Sequence, residues 1–274
     1  MLAVMLMEVY TVGWICALHA ELTVAKAMLD EEHDRLPQDL ADKNTCLPAG
    51  VIGTISAAAV ANRMLLTFPS LRLRLMVGIG GGAPGERDIR LGDVVAGIPS
   101  GPHRAVLQYD FGKTIRNGEL ITTGSLNRPP DVLLTAVNIL KSEHTLRGNS
   151  LSTSVKEMPT RFPLLRKDFS YPGFQQDTLY EAEYDHPGDD ASCERCQSAR
   201  EVRREPRPSP DPVVHYGLIA SGNQVMKHGP TRNRIRRDHK VLCFEMEAAS
   251  LMDEFPCLVI RGISDYSDSH KNKD

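Results

Sequence analysis

A chain of 274 residues, 41% hydrophobic and 24% charged, can bury one large core, and a single α/β domain over 1–274 accounts for its length. Its formal net charge of -3 gives no bulk electrostatic reason to expect a nucleic-acid partner. The apolar first 18 residues carry Glu8, lack Lys and Arg, and contain no run long enough for a membrane helix, so neither a signal peptide nor a membrane partner is expected.

Val9 to Leu18 is rich in β-branched and aromatic residues and reads as a buried strand. His19 to Leu29 has apolar residues at helical spacing, with Glu21 in the first turn. Glu21 therefore sits at a strand-to-helix junction, either complementing the helix dipole or belonging to a site at that strand end. After a charged stretch from Asp30 to Asn44, Leu47-Pro-Ala-Gly50 opens a small-residue helix, Ser56 to Leu66. Gly50 and Gly53 ahead of it would allow backbone N–H groups to face a ligand, or simply permit tight helix packing.

Leu71 to Val77 becomes wholly apolar before Gly78-Ile-Gly-Gly-Gly-Ala-Pro84, a backbone brought close to a ligand or to a crossing strand. The glycine spacing fits neither a dinucleotide fingerprint nor a Walker A loop. Asp88 to Ala96 reads as a turn into a buried strand, and Gln108 to Ser125 as a hairpin turning at Asn117-Gly118. Pro130 to Lys141 is helical. From about 143 to 212 the chain is rich in charge, Pro and Ser without apolar periodicity, and reads as a polar, loop-like insertion.

Within that insertion, Cys193-Glu-Arg-Cys196 and His186 supply three potential zinc ligands, with His215 as a potential fourth. Two unligated thiols and no metal is the reading adopted. The other cysteines include Cys16, Cys243 and Cys257 in apolar runs, which suits small core residues of a reducing compartment and makes the cytoplasm the expected location. His215 to Ala220 resumes the core as a strand. Arg232 to Lys240 is a basic helix, a solvated face or a contact for substrate phosphate.

The closing stretch carries the chemistry. Val241 to Phe244 is an apolar run ending in Glu245 and Glu247, a helix-forming segment spans Ala248 to Glu254, and a second apolar run from Cys257 to Ile260 ends at Asp265. If both runs are neighbouring parallel strands, three acids meet at their carboxyl ends, where open α/β sheets place ligands. The alternative is solvated strand ends.

At Phe244-Glu-Met-Glu-Ala-Ala249 and Ile260-Arg-Gly-Ile-Ser-Asp265 the sequence resembles the nucleoside phosphorylase superfamily of purine and uridine phosphorylases and methylthioadenosine/S-adenosylhomocysteine nucleosidases. Val12 to Leu22, Val77 to Gly82, Leu91 to Val95 and Gly217 to Met226 follow the family order. The chain is most similar to the fungal version of the domain, found at the amino terminus of larger proteins and also carrying the CxxC insertion. The resemblance implies a three-layer α/β/α nucleoside phosphorylase/hydrolase-like fold with a central mixed β-sheet. It also implies cleavage of a purine nucleoside or nucleotide N-glycosidic bond without a cofactor, in a homo-oligomer.

By the same resemblance Asp265 is the acid facing purine N7, for which burial beside Glu247 and a raised pKa would suit it. Glu247 grips the ribose hydroxyls, Met246 packs on the sugar, and Val225 and Met226 line the base pocket with Ser264 nearby. Gly80 and Gly81 lie beside the ribose and nucleophile, and Glu21 stands near the position from which nucleosidases orient water. Met76 and Ile79 occupy the places where hexameric phosphorylases hold phosphate through Arg and Ser, so hydrolysis is expected ahead of phosphorolysis. A nucleoside-binding module of weak activity is the second expectation. It rests on two departures: only Thr45 and Cys46 stand between Asn44 and Leu47, where the family has a strand, and the chain stops at Asp274, before the family's terminal helix. Both would leave apolar surface for a partner subunit.

Overall fold

The computed structural model describes residues 9–32, 53–116, 120–170, 173, 176–188 and 192–270. In chain order come β1 (Val12–Ile15), α1 (His19–Ala27), α2 (Thr54–Thr67), β2 (Leu73–Gly82) and β3 (Val94–Gly97). Two small ribbons follow, β4 (Pro99–Ser100) with β5 (His103–Arg104), and β7 (Gly112–Thr114) with β8 (Leu120–Thr122), separated by β6 (Val106–Gln108). Then come α3 (Asp131–Arg147), α4 (Leu151–Arg161), β9 (Val214–Ser221), α5 (Gly229–His239), β10 (Val241–Glu245) and β11 (Leu258–Asp265).

A seven-stranded mixed sheet forms the centre, in the order β1-β2-β10-β9-β3-β11, with β6 alongside β9. β2 also pairs with β11, so the ladder returns to the strand from which it set out. Alternation along β2 explains the layering. Met76 packs into the cluster of Ala57 and Ala61 from α2, whereas Leu73 and Leu75 pack with Leu133 and Val137 of α3. Odd and even residues of a strand point to opposite faces, so α2 and α3 cover opposite sides of the sheet.

The glycines of β2 mark crossing chains. Gly81 pairs with Phe244 on one side and Asp265 on the other. A Cβ on Gly81 would collide with the Ser267 hydroxyl and Asp265, and one on Gly80 would press on the Phe244 carbonyl. Only a backbone without side chains lets both acidic strand ends close on β2.

Several expectations are corrected. β10 and β11 are not parallel neighbours: β10 runs antiparallel to β2 and β11 parallel to it, with β2 between them. The expected helix from Ala248 to Glu254 is a single 3-10 turn, Ala248–Ser250, because the Glu245 side chain accepts from the Glu247 and Ala248 backbone N–H groups and winds the chain tightly there. β1 is half-buried, with Val12 and Trp14 exposed. The polar insertion is not loop throughout. α3 extends to Arg147, α4 lies within it, and its far end is pinned by arginines. Arg207 clamps Asp93 at 2.7 and 2.8 Å, and Arg204 reaches Asp177 at 2.9 Å and the Tyr266 hydroxyl at 2.8 Å.

Asn117-Gly118, Gly50, the Asn44–Leu47 junction and residues 271–274 lie outside the described residues. No helix of the described residues is long and apolar enough to cross a membrane.

Candidate functional site

Three separate stretches of chain meet at the glycine end of β2. The first is the turn into α1. Glu21 there accepts from the N–H groups of Ala17 at 2.7 Å and Leu18 at 2.9 Å through one oxygen, and from Ile79 at 2.8 Å through the other. It serves the helix start, as the dipole reading proposes, and also ties α1 to β2. Gly78 is required for this, since a Cβ would strike both the Glu21 carboxylate and Arg261.

The second stretch leaves β10. Glu245 and Glu247 are both buried, and between them lies Arg261 of β11, which is wholly buried. Arg261 Nη2 donates to Glu245 and, at 3.2 Å, to Glu247. Burial works against the guanidinium charge, but Glu245, Glu247 and Glu21 together outweigh it and hold its pKa above the ordinary value. Nε and Nη1 of Arg261 have no hydrogen-bond partner among the described residues. One cation faces more negative charge than it balances. Burial, and then repulsion from Glu245, push the Glu247 carboxyl up to about 7, against the pull of Arg261 and a backbone bond from Gly53. The start of α2 therefore faces Glu247 and Asn223, whose side chain accepts from the Thr54 hydroxyl at 2.7 Å.

The third stretch is the end of β11. Asp265 is buried, and its carboxylate accepts from the Ser267 N–H at 2.8 Å and the Ser264 hydroxyl at 3.2 Å. Ser267 adopts a left-handed conformation, φ 53°, to turn its N–H back onto that acid.

These stretches enclose a cavity of about 350 Å³. Glu21, Glu247 and Asp265 line it together with Met246, Val225, Met226, Gly80, Gly81 and Ser264. Glu245, one of the three acids expected at the strand ends, lines it too, as do Phe244, Gln224, Lys227 and Ser267, to which the sequence assigned no role. Phe244 stands edge-on to Tyr109 with centroids 5.5 Å apart, and Tyr109 donates to the Gln224 carbonyl at 2.8 Å, which fixes the segment carrying Val225 and Met226. Lys227 could have been noticed as the cation directly after that apolar pair. The buried pairing of Arg261 has no local sequence signal.

The basic helix does not reach the cavity. Arg232 is buried and donates to the Asp268 carboxylate at 3.1 Å and to the Tyr266 carbonyl, and none of Arg232 to Lys240 is among the lining residues. His215 is likewise elsewhere than expected. Its Nε2 lies 2.8 Å from Asp93, and the grouped potential metal ligands are His186, Cys193 and Cys196 without it.

A putative methylthioadenosine/S-adenosylhomocysteine nucleosidase of Francisella philomiragia superposes with a TM-score of 0.54 at 15% identity, over 95% of this chain and 88% of that one. This chain has the nucleosidase fold. The Neisseria meningitidis nucleosidase in complex with methylthio-immucillin-A matches at a TM-score of 0.53 and 17% identity, over 95% of this chain and 88% of that one. The Helicobacter pylori nucleosidase matches at 0.53 and 15%, over 96% and 88%. By sequence, a nucleotide-binding leucine-rich repeat (NLR)-like protein of Hyaloscypha variabilis is 41% identical over 282 residues, covering 97% of this chain. The chain spans 27% of that relative's length. No family model matches the chain. In the nucleosidase fold found here, the cavity lies where β2 meets the ends of β10 and β11.

Proposed function

We propose that this chain cleaves the N-glycosidic bond of a purine nucleoside or nucleotide by hydrolysis. The observation that carries the proposal is the convergence of Glu21, Glu247 and Asp265, from three distant stretches, in one cavity walled by Phe244 and Met246. Departure of a purine leaves an oxocarbenium-like sugar and a base needing a proton, and acids at the two ends of the bond serve both needs. Asp265 is the acid toward purine N7, held in place by Ser264 and Ser267. Glu247 accepts from the ribose hydroxyls and, once ionised, stabilises the cationic sugar. Met246 and Phe244 pack on the sugar and base, Val225 and Met226 close the base side, and the bare backbone of Gly80 and Gly81 admits the ribose.

Charge favours water over phosphate as the nucleophile. The cavity lining holds Glu21, Glu245, Glu247 and Asp265 against Lys227 and the already engaged Arg261 beside it. An anionic nucleophile would enter against that excess, whereas water would not. Glu21, anchored by three N–H groups, retains acceptor capacity to orient a water. The names of the structural neighbours support the nucleoside reading, as does the nucleoside-type inhibitor in the Neisseria complex.

The test is chromatography of a panel of purine nucleosides and nucleotides incubated with and without phosphate. Free base released without phosphate supports the proposal, and release only with phosphate replaces it with phosphorolysis. Saturable nucleoside binding by calorimetry with no product identifies a binding module. Sedimentation of the same sample tests the homo-oligomer that the resemblance implies.

A further inference from the structure

Apart from the carboxylate cavity, one cluster of side chains has the chemistry of a site. The ligand atoms of His186, Cys193 and Cys196 lie within 4.8 Å of one another. Tetrahedral zinc, with bonds of about 2.3 Å to sulfur, spaces its ligand atoms roughly 3.8 Å apart, so the group needs only a small contraction. The cysteines flank a 3-10 turn, Cys193–Arg195, in which the Cys196 N–H donates to the Cys193 carbonyl at 2.9 Å, a knuckle that turns both thiols to one side.

His270 supplies an independent pointer. Its side chain is only 5% exposed, yet neither ring nitrogen has a hydrogen-bond partner among the described residues. Burying an imidazole in that state is costly unless something else takes up its lone pair. The His270 ring stacks on Tyr180 at 4.2 Å and stands edge-on to His186 at 5.5 Å between centroids. It is thus beside the three-residue group.

The histidine surroundings choose the ligand atoms. His186 Nδ1 lies 2.7 Å from the Gly188 carbonyl and 3.3 Å from the Gly188 N–H, and Nε2 lies 3.2 Å from the Ser192 carbonyl, so one proton cannot serve both carbonyls. With the proton on Nδ1, donated to the nearer Gly188 carbonyl, Nε2 keeps its lone pair for a cation in place of the Ser192 contact. His270 Nδ1 is 3.7 Å from the Asp268 carboxylate, beyond hydrogen-bond distance, so either ring nitrogen is open to a ligand bond. A carbonyl that takes the second histidine proton, as that of Gly188 can for His186, is a usual second layer of a zinc site.

We infer that His186, Cys193, Cys196 and His270 bind one zinc ion. The two thiols lose their protons to solvent as the ion binds, and two thiolates with two neutral imidazoles fill a closed tetrahedron, the arrangement of a structural site. Its place in the fold states its use. The ion fastens residues 179–188 and 192–201 to residues 266–270, immediately beyond Asp265, where the His186 N–H already donates to the Ser269 hydroxyl at 2.9 Å. This inference does not depend on the proposed reaction, because it is read from metal content.

The experiment is elemental analysis of the purified full chain after exposure to zinc and removal of loose metal. About one zinc per chain is expected. The Cys193→Ser/Cys196→Ser variant should lose it, and His270→Ala should release it to a chelator at least roughly tenfold faster than the wild type. Should the double variant fail to fold, the wild type exchanged into cobalt keeps the test decisive: a thiolate-to-cobalt charge-transfer band with tetrahedral ligand-field bands is expected. Zinc-free protein with both thiols open to alkylation whether or not zinc is added, or a disulfide between Cys193 and Cys196, overturns the inference. Zinc retained undiminished in His270→Ala overturns the fourth ligand.

Discussion

Two buried charge networks, one around Asp93 at the start of β3 and one around Arg261 of β11, are built to different rules. Around Asp93 everything is satisfied: its carboxylate accepts from Arg207 twice, from the Val213 and Arg90 N–H groups, and lies 2.8 Å from His215. Burial alone would push that acid up, but these partners bring it down to about 2. Around Arg261 one guanidinium faces Glu245 and Glu247, two of its nitrogens have no hydrogen-bond partner among the described residues, and Glu247 rises to about 7. The first network is a fastening that holds the far end of the insertion on the sheet. The second is left electrostatically unbalanced beside a cavity, which is where functional groups with displaced pKa values are found.

The sharpest way to break the comparison is to neutralise Asp265, which lines the cavity beside the second network, and Asp93, the centre of the first. Asp265→Asn keeps an acceptor for the Ser267 N–H but removes the proton donor. It is expected to lower the base-release rate by about 10²–10⁴-fold, the usual contribution of a general acid, with the melting temperature nearly unchanged. A stable variant of undiminished rate would remove Asp265 from the chemistry.

Asp93→Asn is expected to do the reverse. It leaves Arg207 with Asp88 as its one carboxylate partner and should cost about 1–3 kcal/mol in chemical denaturation, while the folded fraction keeps its turnover. Loss of turnover at full stability would mean that the two networks are not separable.

The smaller effect is in pH. Asp93, depressed in the folded state, contributes stability that is present above the ordinary carboxylate pKa of 3.8 and is lost as pH falls toward about 2. Glu247 has the opposite sign. Between 4.5 and about 7 the folded state holds a proton that the unfolded chain has released, so stability declines as pH rises through that window. Thermal melts should show a midpoint falling by a few degrees from pH 5 to 7.5, with the slope flattened in Glu247→Gln. An unchanged slope in that variant would assign the titration to another group.

Much of the fold was legible because strand and helix periodicity is local. The runs Val241 to Phe244 and Cys257 to Ile260 are strands, and the glycines after Val77 do mark close approach. Which strands are neighbours was not legible, since periodicity describes the faces of a strand and not its partners. β2 slipped between β10 and β11 for that reason. The insertion was misread on similar grounds. Arg204 and Arg207 resemble a solvated charge run until Asp177, Asp88 and Asp93 are brought to them from elsewhere in the chain. Arg232, read as surface, is buried on Asp268. The acids of the candidate site were visible because each ends an apolar run. Arg261 was hidden inside one, where a charge is affordable only with partners that the local sequence does not display.

The double pairing of β2 also bears on how the molecule is made. Leu75 pairs with Trp14 on one side and with Leu258 on the other, and Gly81 awaits both Phe244 and Asp265. On the ribosome β2 emerges with its first neighbour but more than 150 residues before β10 and β11, so its glycine edge stays open until they follow. Ladders of such wide sequence separation close late and slowly. The acidic cavity therefore forms only when β11 seats against β2, and a chain that has acquired its helices but not that pairing has no site at all.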